Sequence, residues 1–178
     1  MKTNSRTTII GSLEDVYRLV EDVGRWPEIA ESVGDVKILS MEGREKTVEM
    51  AARGGILSLT MTCVQETAPS ERLILFRYTK GLMKGVEAEW TFSECQLRKN
   101  LVLVNVAHDF KNVSPVRAYI LSRFFLQSQT ELMLKRLKEI VEAGFMAKVL
   151  LFGADFAEQM DWSSDAMLES QPVMVKVY

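Results

Sequence analysis

Alternation of apolar and polar residues dominates the middle of the chain, from residue 33 to residue 110. In the clearest case Leu57, Leu59, Met61 and Cys63 alternate with serine and threonine. A period of two is typical of a β-strand with one buried face, because successive side chains point to opposite sides. Short turn sequences rich in Gly and charged residues separate six such segments, which predicts an antiparallel meander. The predicted strands cover residues 36–41, 46–53, 56–66, 73–79, 86–93 and 101–110.

The residues before this meander predict one more strand and two short helices. Residues 3–10 have strand composition, and Gly11 ends that strand. Ser12 begins a helix to about Asp22, since its side chain can accept a hydrogen bond from a free backbone N–H. Residues 25–31 predict a second short helix with a proline in its first turn.

A long helix is predicted after the meander, from about Pro115 to Ala143. Ser114 can cap its start, and Gly144 suits its end. The second half carries one apolar stripe, as on a helix that lies against a sheet. The first half is apolar nearly all round. We therefore expect it to be buried on more than one side or to face a cavity, with Phe124 near the concave face of the sheet.

The order of these elements predicts an α+β fold in which a curved antiparallel sheet of about seven strands wraps around the long C-terminal helix. Residues 1–144 form this domain. Residues 145–178 follow as an apolar extension, which can pack on the open end of the sheet, on a second subunit or on a membrane surface. We favour core packing or a homodimer over membrane contact, because residues 145–160 carry one lysine rather than a basic face.

Composition limits the classes of function. The 178 residues are 47% hydrophobic and carry a formal net charge of -2, which provides no overall basic field for nucleic acid. The first ten residues lack the apolar segment of a signal peptide, and no apolar run is long enough to span a membrane, so we expect a cytoplasmic protein. Cys63 and Cys95 are too far apart for a zinc-ligand spacing, and reduced thiols are expected. No metal or cofactor is predicted.

Three pieces of sequence resemble a known superfamily. They are the segment Asp22 to Glu28 with its Trp-Pro-Glu run, the strand EAEWTF from Glu87 to Phe92, and the helix end TELMLKRLKEIVE. Together with the element order, they resemble the START/SRPBCC (helix-grip) superfamily, and within it the polyketide cyclase/dehydrase branch that includes the bacterial aromatase/cyclases. The resemblance covers about residues 3 to 143.

This resemblance implies a deep apolar cavity between the sheet and the C-terminal helix. Such cavities bind polyketides, lipids, sterols or quinones. The expected function is therefore binding of a polyketide-like or polycyclic ligand, with aromatase/cyclase activity as one form of it. The alternative is a non-catalytic lipid or quinone carrier, or a partner-binding module that uses the C-terminal extension. In the cyclases an inward arginine and a tyrosine after the Trp-Pro-Glu helix position the substrate, and the matching residues here are Cys63 and Val33.

Three polar residues are candidates for the cavity. His108, the single histidine, shares its strand face with Val104 and Val106, so it should point inward. It is the candidate catalytic acid or base, or else a structural hydrogen-bonding group. Gln127 can donate to a bound carbonyl or face solvent, and Arg77 can replace the missing arginine only if its strand phase is inward.

The remaining candidates are apolar and sulfur-containing side chains that either line the cavity or fill the core. The predicted ligand-binding set is Trp26, Met50, Leu59, Met61, Cys63, Val86, Trp90, Val104, Val106, His108, Phe124 and Gln127.

Overall fold

The computed structural model describes residues 1–52, 59–96, 98 and 100–152. A single seven-stranded antiparallel sheet has the strand order β1-β7-β6-β5-β4-β3-β2. The predicted strands are confirmed with small shifts at their ends, and residues 53–58, which include the start of the predicted third meander strand, lie outside the described part. The strands are β1 Lys2–Ile10, β2 Val33–Glu42, β3 Glu45–Ala52, β4 Leu59–Ala68, β5 Leu73–Lys80, β6 Glu87–Glu94 and β7 Leu101–Asp109.

Two short helices cross from β1 to β2, as predicted. Helix α1 covers Leu13–Glu21 and α2 covers Trp26–Ile29, with a 3-10 turn between them. The Ser12 hydroxyl caps α1 by accepting a hydrogen bond from the backbone N–H of Asp15 at 3.1 Å. This bond satisfies one of the free N–H groups at the helix start.

The long helix has three parts. Helix α3 covers Pro115–Leu121, a π-helical turn covers Ser122–Leu126, and α4 covers Gln127–Phe152. The predicted end at Gly144 is wrong. Glycine in a helix costs about 1 kcal/mol, and burial of the following Phe145, which is 4% exposed, offsets that cost. Within the described residues, no helix is long and apolar enough to cross a membrane.

The two halves of this long helix are packed differently. In α4 the apolar stripe Leu134, Leu137 and Val141 is buried against the sheet, as predicted. In α3 only Ala118 and Leu121 are buried. The expectation that the first half is buried on more than one side is wrong for α3, because α3 covers the end of the sheet with one face and leaves its other face to solvent. The side chains of Phe124 and Phe125 lie outside the described residues, and the alternative that this half faces a cavity stays a prediction.

Two glycines fix the turn that supports α3. Gly81 has φ +80° and lies so close to β4 that an added Cβ would be 2.4 Å from the carbonyl oxygen of Thr60. Gly85 has φ +89°, and a Cβ there would be 2.7 Å from the carbonyl oxygen of Asn112. Both positions need glycine, because other residues rarely adopt a positive φ and no space exists for a side chain. The turn from residue 81 to 85 is therefore held against the segment that leads into α3.

Candidate functional site

The buried apolar side chains of the described residues form two clusters. The larger, which we call the barrel cluster, lies between the sheet, α1, α2 and the stripe of α4. The smaller, which we call the mouth cluster, lies under α3 at the end of the sheet. The two clusters meet at partly buried Met61 and Tyr78, which pack against both. The mouth cluster comprises Met83, Val86, Phe110, Val113, Ala118, Leu121 and Leu126.

Half of the twelve predicted ligand-binding residues belong to the barrel cluster. Trp26 and Trp90 lie face-tilted with ring centroids 6.3 Å apart, and the Trp26 indole N–H donates to the carbonyl oxygen of Val20 at 2.9 Å. These are the contacts of a packed core. Val86 belongs instead to the mouth cluster, and the side chains of Leu59 and Phe124 lie outside the described residues. The predicted residues in the barrel cluster are Trp26, Met50, Cys63, Trp90, Val104 and Val106.

Polar side chains interrupt this apolar interior where the two clusters meet. The register of the sheet places Thr3 of β1 opposite His108 of β7, and Cys63 of β4 opposite Tyr78 of β5. Ala88 of β6 pairs with His108, and the backbone N–H of Tyr78 donates to the carbonyl oxygen of the residue just before β6 at 3.0 Å. We call the four residues Thr3, Cys63, Tyr78 and His108 the polar seam.

His108 points inward, as its strand phase predicts, and is 6% exposed. Its Nδ1 is 3.4 Å from the Thr3 hydroxyl, and its Nε2 has no hydrogen-bond partner among the described residues. Burial lowers the pKa of His108 to about 4, because desolvation disfavours the charged ring. The imidazole is therefore neutral near pH 7. Asp109 points outward to Lys2 and Lys111, so it forms no dyad with the histidine.

Cys63 and Tyr78 form the other half of the seam. Burial raises the pKa of the Cys63 thiol to about 12. Desolvation also raises the pKa of Tyr78 above its usual range, with a smaller contribution from the neighbouring thiol. The Tyr78 hydroxyl makes no hydrogen bond to any described residue. The seam thus offers neutral donors and acceptors and no nucleophilic thiolate.

Sequence reasoning missed Tyr78 because β5 is apolar on both faces and its phase is ambiguous. The structure resolves the phase, since Ile74 and Phe76 are fully buried and Tyr78 follows them on the same face. Arg77 consequently points outward, where its guanidinium donates to Glu66 and Glu45, both at 2.7 Å. It therefore does not replace the arginine of the cyclases inside the sheet.

Gln65 is a second interior residue that sequence reasoning missed. It is fully buried, and its side-chain amide donates to the carbonyl oxygen of Glu21 at 2.9 Å. Its Oε1 has no hydrogen-bond partner among the described residues. The strand alternation could have identified it, because Gln65 lies on the same inward face of β4 as Met61 and Cys63. Its amide ties the end of α1 to the sheet.

Two other predicted positions lie away from the seam. Gln127 is half-exposed at the start of α4, and its amide contacts Glu131 Oε1 at 3.4 Å on the solvent side. Val33, which the family resemblance matches to the tyrosine of the cyclases, is buried at the start of β2 and pairs with Ala52. It carries no polar side-chain atom for a ligand.

A groove of about 560 Å³ lies on the outer surface between α1 and α4. Its walls are mixed in charge, with Arg18, Asp22 and Arg25 on one side. Lys148 crosses it to bind Asp15 at 2.9 Å. The groove is separate from the predicted interior site. No group of three or more His, Cys, Asp or Glu side chains that could hold a metal ion occurs in the described part of the chain.

Residues 11–138 match the family model described as "Polyketide cyclase / dehydrase and lipid transport". The chain belongs to this family. The match covers α1, the meander and most of the long helix, so nearly all of the helix-grip domain carries the similarity. The search of curated proteins found no match.

Solved structures share the fold at low sequence identity. The Zhui aromatase/cyclase from Streptomyces sp. R1128 has a TM-score of 0.70 and 17% identity over 80% of this chain and 93% of that chain. A protein from Thermus thermophilus has a TM-score of 0.67 and 19% identity over 81% of this chain and 99% of that chain. A START superfamily protein from Mycobacterium smegmatis has a TM-score of 0.62 and 16% identity over 80% and 97%. This family member thus shares the fold of these proteins.

Proposed function

We propose that the protein binds an uncharged, largely apolar small molecule with carbonyl or hydroxyl groups, of polyketide-like or polycyclic type, against the polar seam. One observation carries the proposal. The Tyr78 hydroxyl and His108 Nε2 lie on an otherwise apolar wall without hydrogen-bond partners among the described residues. Neither atom is among the fully buried unpaired side-chain atoms of the described residues, so both are accessible to a ligand, and such polar groups on an apolar wall can orient it. A ligand oxygen supplies the missing partner.

The protonation states of the seam favour a neutral ligand. His108 is neutral at pH 7 because its pKa is lowered to about 4, and the raised pKa of Cys63 and of Tyr78 keeps both protonated. No cation of the seam can pair with a carboxylate or phosphate, and an unpaired anion is costly to desolvate. Ketone, quinone and phenol oxygens match this wall, because each can form hydrogen bonds without a counter-charge.

Isothermal titration calorimetry with an uncharged hydroxyanthraquinone tests the proposal. Tyr78→Phe removes the hydroxyl and keeps the ring, so we expect affinity to fall about 5- to 10-fold, as for one lost hydrogen bond of about 1 to 1.4 kcal/mol. Tyr119→Phe is the matched control, because Tyr119 is 60% exposed on the outer face of α3. Equal affinity for the Tyr78→Phe and Tyr119→Phe variants would contradict binding at the seam.

A carboxylated anthraquinone of similar size tests the charge argument separately. We expect it to bind at least about tenfold more weakly than the uncharged compound, because its charge is buried without a partner. Tighter binding of the carboxylate would contradict a neutral seam and show that a cation holds the ligand.

Catalysis of polyketide cyclisation is the second candidate function. The family description and the likeness to the fold of an aromatase/cyclase support it. The Tyr78 hydroxyl could donate to a ketone oxygen as enolate charge develops there. We place binding ahead of catalysis because the family resemblance matches Cys63 and Val33 to the arginine and tyrosine of the cyclases, while Arg77 points outward. Mass spectrometry of a poly-β-ketone incubated with the protein separates the two. Dehydrated, cyclised product that is lost in His108→Gln would establish catalysis, and recovery of unchanged ligand fits a carrier.

A further inference from the structure

An apolar patch is exposed at the mouth of the sheet. Val116, Tyr119 and Ile120 on the outer face of α3 are 72%, 60% and 52% exposed, and Leu82 in the adjoining turn is 40% exposed. The Arg117 guanidinium donates to the carbonyl oxygen of Leu82, so the turn and the helix form one surface. We call these four apolar residues the mouth patch. It lies on the opposite side of α3 from Ala118 and Leu121, which cover the mouth cluster.

The sequence around the mouth patch is basic. Residues 80–86 and 110–123 contain five basic residues and no acidic residue, whereas the whole chain has a formal net charge of -2. Lys111 is paired with Asp109 at 3.3 Å. The other four form no ion pair with a described residue, so their charge is available to an external partner. The five are Lys80, Lys84, Lys111, Arg117 and Arg123.

We infer that the mouth patch docks the protein on an anionic lipid surface. Exposed aliphatic side chains and a tyrosine would enter the headgroup region, while the surrounding lysines and arginines attract the anionic lipids. Val116, Tyr119, Ile120 and Arg123 recur at helical spacing, so they form one face that can lie flat on a membrane. Docking there brings the mouth cluster and the polar seam next to the lipid.

A second occupant of opposite charge exists within the chain. Residues 153–178 contain five acidic residues and one lysine. They follow the far end of α4, however, and the 26 residues of α4 alone span about 39 Å. Reaching the mouth patch on the same molecule would require much of this segment to extend along the domain. Docking on a lipid surface requires no such extension of the C-terminal segment. We therefore assign the mouth patch to an anionic lipid surface.

Vesicle flotation with the full chain tests the inference. We expect binding to phosphatidylcholine vesicles that contain about 30% phosphatidylglycerol, weaker binding to pure phosphatidylcholine, and loss of binding at high salt. Val116→Ser with Ile120→Ser removes the apolar contact and should reduce binding at least about tenfold. Lys84→Glu with Arg123→Glu should reduce it by a similar factor. All four residues are outside the buried clusters, so the fold should persist.

Matched controls come from strands away from the mouth patch. Ile38→Ser with Leu39→Ser removes side chains that are 50% and 55% exposed on the edge strand β2, and Arg6→Glu with Arg44→Glu reverses two exposed charges. Both control variants should float like the parent. Equal loss in control and patch variants, or a parent that stays at the bottom of the gradient, would overturn the inference.

Light scattering tests the competing protein partners. A concentration-dependent dimer that Val116→Ser with Ile120→Ser abolishes, with no vesicle binding, would assign the mouth patch to a second copy of the chain and overturn lipid docking. The inference does not depend on the proposed ligand. Unchanged vesicle binding by a Tyr78→Phe variant that binds the anthraquinone more weakly would separate the two sites.

Discussion

The barrel cluster and the mouth cluster are built from the same sheet and the same long helix, yet their polar groups differ. In the barrel cluster the Trp26 indole N–H and the Gln65 amide N–H both reach backbone carbonyl oxygens. At the junction with the mouth cluster, the Tyr78 hydroxyl and His108 Nε2 reach no described residue. Gln65 Oε1 beside the barrel cluster also lacks a partner among the described residues, but it is fully buried, whereas the two unpaired atoms of the polar seam are open to the ligand that we propose.

The long helix shows the same contrast. Its α4 segment buries Leu134 and Leu137 against the sheet, while its α3 segment exposes Val116 and Ile120. The π-helical turn Ser122–Leu126 separates them. A π-turn inserts extra backbone into a helix and often occurs at functional sites. The π-turn therefore coincides with the change from the buried stripe of α4 to the exposed face of α3.

The largest effect we expect is from truncating the barrel cluster. Trp90 is 1% exposed and packs near Trp26 and Phe92. Trp90→Ala should lower the free energy of unfolding by about 3 to 5 kcal/mol, whereas Leu121→Ala in the mouth cluster should cost about 2 kcal/mol, because α3 can move inward to fill the space. Chemical denaturation measures both. Equal costs would mean that the mouth is packed as tightly as the barrel.

The next effect concerns pH. The pKa of His108 is about 4 in the folded protein and near 6.5 when unfolded, so the unfolded chain takes up the proton first as the pH falls. The stability linked to neutral His108 is complete above about pH 6.5 and is lost towards pH 4, by about 3 kcal/mol in total. His108→Gln should remove this part of the acid sensitivity. Denaturation curves between pH 7 and 4 that fall in parallel for both proteins would show that His108 is not buried.

The smallest expected change in stability distinguishes a polar group without a hydrogen-bond partner from one that has a partner. Tyr78→Phe should change stability by less than about 0.5 kcal/mol, since the hydroxyl has no described partner. Trp26→Phe removes the hydrogen bond to Val20 and should cost about 1 kcal/mol or more. A large loss in Tyr78→Phe, measured by thermal unfolding without ligand, would reveal a structural role for that hydroxyl.

Much of the fold could be predicted from the sequence because strand periodicity is a local signal. The inward direction of His108 followed from its phase with Val104 and Val106. Tyr78 could not be placed in this way, because both faces of β5 are apolar and only pairing with β4 and β6 fixes its direction.

Two other features depended on tertiary contacts. Gly144 carries a strong local signal for a helix end, but burial of Phe145 overrides it. The apolar face of α3 has the pattern of a buried helix, and only the position of α3 at the end of the sheet shows that this face is exposed. A sequence pattern shows which residues are apolar, but it does not show whether another part of the fold buries them.

Nuclear magnetic resonance of His108 tests the central claim most directly, because a single histidine gives a single imidazole spectrum. We predict a neutral ring at pH 7 that titrates near pH 4, and resonances that shift saturably when the uncharged hydroxyanthraquinone is added. A ring that titrates near 6.5 and is unaffected by a ligand that calorimetry shows to be bound would place the binding site away from the polar seam.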